Sequence, residues 1–134
     1  MPRTAIVTLT ALATLAGAGC ATHASEPGAL DDAALQAYAA RPFDKQALMG
    51  QTIELGRNHG LPVVAEFPCA DVCPQYTVRI IHYRLPEGAD CQSAGGVEET
   101  VAVPVAIAVM QKTFCVPRAL AASGAYFTRQ EGGR

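Results

Sequence analysis

Tryptophan is absent from the chain, and aromatic residues make up only 6% of it. A surface for stacking sugars or unpaired bases therefore has little to be built from. Charge is also scarce, at 16% of the 134 residues, and leaves a formal net charge of −2. No basic field exists to follow a phosphate backbone or to adhere to an acidic membrane surface, so nucleic acid is not an expected partner. The signatures of common chemistry are missing as well: there is no Gly-x-Ser-x-Gly, no His-Glu-x-x-His and no phosphate-cradling glycine loop. With no motif that places a nucleophile or carboxylate beside a histidine, the sequence points away from an enzyme and implies no cofactor.

What is present begins at the N-terminus. Arg3 precedes an uncharged, small-residue run from Ala5 to Gly19, about 15 residues, where a spanning helix needs roughly 17 to 25. The run reads as an export signal over residues 1–19. Leu15-Ala16-Gly17-Ala18-Gly19-Cys20 closes it and resembles the signal of bacterial lipoproteins, in which the cysteine thiol carries a diacylglycerol. That resemblance implies a chain anchored in a membrane of the bacterial cell envelope through lipid on Cys20 and facing the periplasm. Ala16-Gly17-Ala18 and Thr22-His23-Ala24 are also usable sites for ordinary signal cleavage, which would give a soluble periplasmic protein. Cysteine parity favours the lipoprotein reading. Acylation of Cys20 leaves Cys69, Cys73, Cys91 and Cys115, an even set suited to an oxidising compartment.

Residues 20–28 read as a polar tether, and residues 29–134 as one domain of a size at which covalent staples help. A short helix is expected between Ala29 and Ala40, with Asp31 and Asp32 at its start and Arg41-Pro42 beyond its end. Its apolar stripe would be Leu30, Ala33, Ala34, Ala37 and Tyr38. A further turn or two is expected at Asp44 to Met49, stopped by Gly50. Strand-like runs follow at Gln51–Leu55, Leu61–Phe67, Tyr76–Leu85, Val97–Val103, Val105–Val116 and Ala125–Thr128, separated by Gly, Pro and Asn. Val101, Val103, Val105, Ile107 and Val109 alternate with smaller residues, and Pro104 marks an edge, bulge or break in that run. Continuing the count puts Thr113 and Cys115 on the valine face, and Met110, Lys112 and Phe114 on the other. Pro117 to Ser123 fits a last helical turn ended by Gly124. The expected class is α+β: an N-terminal helix packed on a small, mainly antiparallel sheet and stapled by disulfides.

Phe67-Pro68-Cys69-Ala70-Asp71-Val72-Cys73-Pro74 is the segment with chemical potential. Two thiols four apart can chelate a soft metal such as Cu(I), cycle between dithiol and disulfide, or close a structural loop. The segment resembles the Cys-Pro-Asp-Val-Cys-Pro stretch of Sco-type copper chaperones, which implies Cys69 and Cys73 as thiolate ligands on a thioredoxin-like fold. It also resembles a family of bacterial envelope domains of unknown function in which Cys-x3-Cys-Pro-x-Tyr runs directly into a strand, here Cys69, Cys73, Pro74, Tyr76, Val78 and Ile80. That second likeness implies no activity and fits a disulfide pinning the start of the Tyr76 strand.

Four cysteines allow three pairings. Cys69 with Cys73 and Cys91 with Cys115 is favoured, because the first two are close in sequence and the second pair ties the Gly88–Gly96 loop to the Cys115 strand. His23 falls in the tether, His59 in a turn and His82 in a strand, and each is expected to be a surface or internally satisfied residue. Glu98 and Glu99, if extended, point to opposite faces and cannot serve one site. The sequence therefore supports a non-catalytic envelope module that offers a β-edge or loop surface to a protein or cell-wall partner. A copper-binding or redox protein using Cys69 and Cys73 is the alternative.

Overall fold

The computed structural model describes residues 28–43, 50–69, 76–105 and 108–131. Among these, β-structure dominates: β1 (Thr52–Asn58), β2 (Leu61–Glu66), β3 (Tyr76–Tyr83), β4 (Gly96–Val105), β5 (Ala108–Pro117) and β6 (Phe127–Glu131). The helices are short. α1 (Asp32–Ala39) has eight residues and α2 (Arg118–Ala121) four. The expected α+β class is thus corrected to a mostly antiparallel β fold, in which no helical layer covers a single sheet and the strands divide into two sheets. The turn expected at Asp44 to Met49 lies outside the described residues.

Sheet A has the order β1-β2-β3-β6 and sheet B is the β4-β5 hairpin; every pairing is antiparallel. β3 lies inside sheet A and is covered on both faces, which its apolar run allows. On one face Ile81 and Tyr83 join Val63, Ala65, Phe67, Leu35, Ala39, Phe43 and Leu120 in a core cluster. On the other, Val78 and Ile80 pack with Val103, Phe114 and Val116 of sheet B. The side chains that α1 buries are Leu35 and Ala39, one turn apart, while Ala33, Ala34 and Ala37 are exposed. The expected alanine stripe fails because the larger Leu35 gains more from burial than any alanine does.

The β1–β2 connection is a two-residue turn, His59-Gly60, with φ of 52° and 82°. Positive φ at both central residues is the geometry that suits a tight hairpin. α1 begins as its sequence requires: the Asp31 carboxylate accepts from the Ala34 amide at 2.8 Å. It ends before Pro42, and α2 and Gly124 (φ 77°) follow Pro117.

Sheet B departs from the sequence count. β4 runs through Pro104 to Val105, and Val105 pairs antiparallel with Ala108, so the direction of the chain has reversed between the two. The pairing sets odd residues of β4 opposite even residues of β5, with Val97 facing Val116, Glu99 facing Phe114 and Val103 facing Met110. Opposed residues of an antiparallel pair share a face. Phe114 and Val116 therefore lie on the valine face, and Cys115, opposite Glu98, lies on the other.

Register also fixes what sits at each end of the sandwich. Asn58, Leu61 and Tyr83 mark one end of sheet A, and Thr52, Glu66 and Tyr76 the other. The chain enters at the first end. There the Gly28 carbonyl accepts from the Arg57 amide at 2.6 Å, and the Leu30 amide donates to the Arg57 carbonyl at 2.8 Å. Gly56 makes room for that entry, since a Cβ there would collide with the Gly28 carbonyl. β5 runs the other way: Phe114 lies beside His82 and the Lys112 charge acts on Glu66, so the Val105–Ala108 end projects away from the point of entry.

Candidate functional site

Three constellations of polar side chains are held by this scaffold. The first lies at the chain-entry end. Asn58, buried in the last position of β1, donates from Nδ2 to the Leu30 carbonyl at 2.8 Å and to Asp32 Oδ1 at 3.0 Å, and its Oδ1 accepts from the Tyr83 hydroxyl at 2.7 Å. His59 Nε2 donates to the same Asp32 oxygen at 3.0 Å. The Asn58 hydrogen bond, followed by the His59 contact and charge, holds the Asp32 carboxyl below its ordinary value. Burial, with the nearby Asp32 charge, pushes the Tyr83 hydroxyl up. The network borders an open groove of about 640 Å³ between Ala29–Ala33 and Arg57–Gly60. A second groove of about 400 Å³ continues beyond Arg57, floored by Leu61, Pro62, Leu85 and Pro86 and flanked by Arg57 and Arg84.

The second constellation joins the sheets. His82 of β3 places Nε2 2.9 Å from Glu66 Oε1 on β2 and Nδ1 3.1 Å from the Tyr83 carbonyl, with its ring centroid 4.7 Å from that of Phe114. Its hydrogen bond is the main reason the Glu66 carboxyl lies below its ordinary value; partial burial opposes the shift, while the charges of His82, Lys112 and Arg84 add to it. This pair stands beside a cleft of about 310 Å³ that the Cys91–Cys115 disulfide also lines. The two cysteine Cα atoms are 5.6 Å apart, within the usual range for a bridge.

The third is a buried cation. Arg79 is 1% exposed and donates to the Ala39 carbonyl at 2.7 Å, the Arg41 carbonyl at 3.0 Å and Thr128 Oγ1 at 3.2 Å. Its guanidinium lies against the rings of Tyr38 and Phe43, at 5.0 and 5.2 Å from their centroids. α1 has no basic residue in its last turn, and Arg79 supplies from β3 the positive charge that the helix C-terminus favours. Burial lowers its pKa, but a guanidinium keeps its proton at any working pH.

The sequence-derived candidates are distributed unevenly over this frame. Cys91 and Cys115 are brought together in the favoured pairing. Cys69 is 3% exposed and disulfide-bonded, to a partner outside the described residues. Cys20 and Cys73 lie outside them too. A strand follows the cysteine motif, at Tyr76. Glu98 is exposed, whereas Glu99 accepts from the Tyr126 hydroxyl at 3.1 Å, so the two carboxylates do serve different faces. His59 and His82 each meet a carboxylate, Asp32 and Glu66, with which no sequence motif pairs them. Among the described residues no cluster of three metal-ligating side chains occurs, and no helix is long and apolar enough to cross a membrane.

One surface feature was not legible as a site. Val109 and Met110, at the far end of β5, are 57% and 51% exposed. Being adjacent on a strand they point to opposite faces, and they belong to an uncharged stretch that runs from Thr100 to Gln111. Comparison with protein-family models, with curated proteins and with solved structures gives no match for this chain.

Proposed function

We propose that this chain is an exported envelope protein, anchored through lipid on Cys20, that works by binding a partner rather than by catalysis. The observation that carries the reading is the opposition of its two ends. Gly28, eight residues from Cys20, enters beside Arg57, while the exposed apolar pair Val109 and Met110 stands at the other end of the molecule. An anchor at the first end would hold the second out into the periplasm. There the outer edge of β5, which has no strand partner among the described residues, carries two apolar side chains, the combination on which an added strand or an apolar partner surface docks.

The polar groups that could have served chemistry support the same reading, because they are engaged in the fold. Arg79 caps α1, Asn58 fastens α1 to β1 and Tyr83, and His82 ties β2 to β3 under Phe114. Intact mass of the membrane-extracted protein tests the anchor: a mature chain starting at Cys20 with diacylglycerol is expected, and Cys20→Ala releases it. A chain starting at Gly19 or Ser25 with no acyl mass overturns it. For the binding surface, a photo-crosslinking residue at Val109 should give an adduct in intact cells that Met110→Lys abolishes. Adduct formation that is indifferent to Met110→Lys would remove this edge as the binding surface.

A further inference from the structure

The groove between Arg57 and Arg84 sits at the end where the chain enters, and we infer that it seats on the phospholipid headgroups of the membrane that holds Cys20, with both guanidiniums on lipid phosphate. The inference rests on the lipid-anchor reading above and adds to it an orientation and a contact surface.

Chain length supplies the first argument. Eight residue steps separate Cys20 from Gly28, and a fully extended chain covers at most about 3.6 Å per step, so Gly28 stays within roughly 29 Å of an acylated cysteine. Gly28 is fixed to Arg57 by the 2.6 Å bond from the Arg57 amide. Arg57 itself forms one flank of the groove. An anchored protein therefore keeps this flank within that reach of the lipid surface, close enough for the groove to touch it.

Chemistry supplies the second. Leu61, Pro62, Leu85 and Pro86 present an apolar floor, and the two flanking side chains are both arginines, whose planar fork of donors matches phosphate oxygens. Arg57 uses one terminal nitrogen on the Gly60 carbonyl at 2.8 Å, and Arg84 uses one on Glu54 at 3.0 Å. Among the described residues neither arginine has a partner for its other terminal nitrogen, and the Arg84 side chain is 53% exposed. Glu54 offsets Arg84, and Asp31 and Asp32 border the neighbouring groove, so this end has no long-range attraction for an anionic surface. The contact instead works at short range, at the high local concentration that the tether imposes.

The absence of tryptophan makes the test clean, because a single introduced indole reports one position. Acylated protein, its mass checked first, is reconstituted in phosphatidylethanolamine–phosphatidylglycerol vesicles that contain headgroup-spin-labelled lipid. Fluorescence quenching is then compared for Pro86→Trp at the groove and Val109→Trp at the far end. Quenching at least threefold stronger for the Pro86→Trp protein is expected, and it should fall to the level of the Val109→Trp protein when Arg57→Gln and Arg84→Gln are added. Near-ultraviolet circular dichroism and an unchanged melting curve confirm that the added substitutions leave the fold intact; if they do not, Arg84→Gln alone is used, with at least a halving expected. Equal quenching at both positions, or quenching that ignores the arginines, overturns the headgroup contact while leaving the anchor standing. Protein without acyl mass overturns both.

Discussion

His82 Nε2 lies 2.9 Å from Glu66 Oε1 across the β2–β3 ladder, while the other ring nitrogen meets the Tyr83 carbonyl at 3.1 Å. Both ring nitrogens thus face acceptors, and the pair sits where sheet B packs on sheet A through Phe114. The Glu66 carboxylate gains from this arrangement, which holds its pKa below 4.5 in the folded state. A carboxyl that is harder to protonate when folded contributes stability that is complete above its unfolded pKa and is lost as pH falls through the folded value. Melting temperature should therefore fall on acidification below about pH 4.5, and Glu66→Gln should flatten that acid limb. Parallel wild-type and Glu66→Gln curves between pH 3 and 6 would show that the pair contributes nothing.

Arg79→Ala should be the most damaging single truncation in β3. It strips the Ala39 and Arg41 carbonyls of their donor, and it empties the space beside Tyr38 and Phe43. Loss of about 3 kcal/mol is expected, of the size seen when buried acceptors lose a charged donor. Urea unfolding measures it; a loss under about 1 kcal/mol would mean that water replaces the guanidinium at little cost.

Gly96 is confined by the bridge it adjoins. A Cβ at that position would collide with the Cys115 sulfur, and it would lie 3.1 Å from the Cys91 sulfur and 3.2 Å from the Val116 carbonyl. Gly96→Ala should destabilise the oxidised protein by roughly 2 kcal/mol, typical of overpacking. It should do much less to the Cys91→Ser, Cys115→Ser double variant, and a double-variant background that leaves the Gly96→Ala effect unchanged would detach the glycine from the disulfide.

The disulfide closes a segment of 24 residues in sequence separation, for which chain entropy gives about 3 kcal/mol. Reduction, or Cys91→Ser with Cys115→Ser, should lower stability by that order. Non-reducing peptide mapping should recover a Cys91–Cys115 peptide. A Cys91 peptide linked to any other cysteine would contradict the fold of the 86–95 loop.

The strands were legible because their punctuation is chemical. Gly60, Pro86-Glu87-Gly88 and Gly124 close runs of β-branched and aromatic residues, and Asp31 and Pro42 bracket α1. A break is signalled at Pro104, but the reversal falls later, between Val105 and Ala108, where the sequence carries none of the usual turn residues and the alternation of small and large side chains continues unbroken. Missing that turn put Cys115 on the wrong face and hid the second sheet, and with it the class of the fold. Arg79 escaped for a different reason. Hydropathy places arginine at the surface, and its partners are backbone carbonyls about 40 residues away, which no side-chain pattern announces. The pairings His59–Asp32 and His82–Glu66 join different elements, so they became visible only with register.

The two backbone bonds between Gly28, Leu30 and Arg57 have a mechanical meaning if load arrives through the N-terminal connection. They form a single parallel bridge onto β1, an edge strand with one neighbour in sheet A. Tension applied ahead of Gly28 reaches this bridge first, then α1 through Asp31 and Asp32, and only afterwards the β2–β3 ladder that holds the core. Under such a load these two bonds would part before the β2–β3 ladder does, so the junction would serve as a fuse for the sandwich behind it.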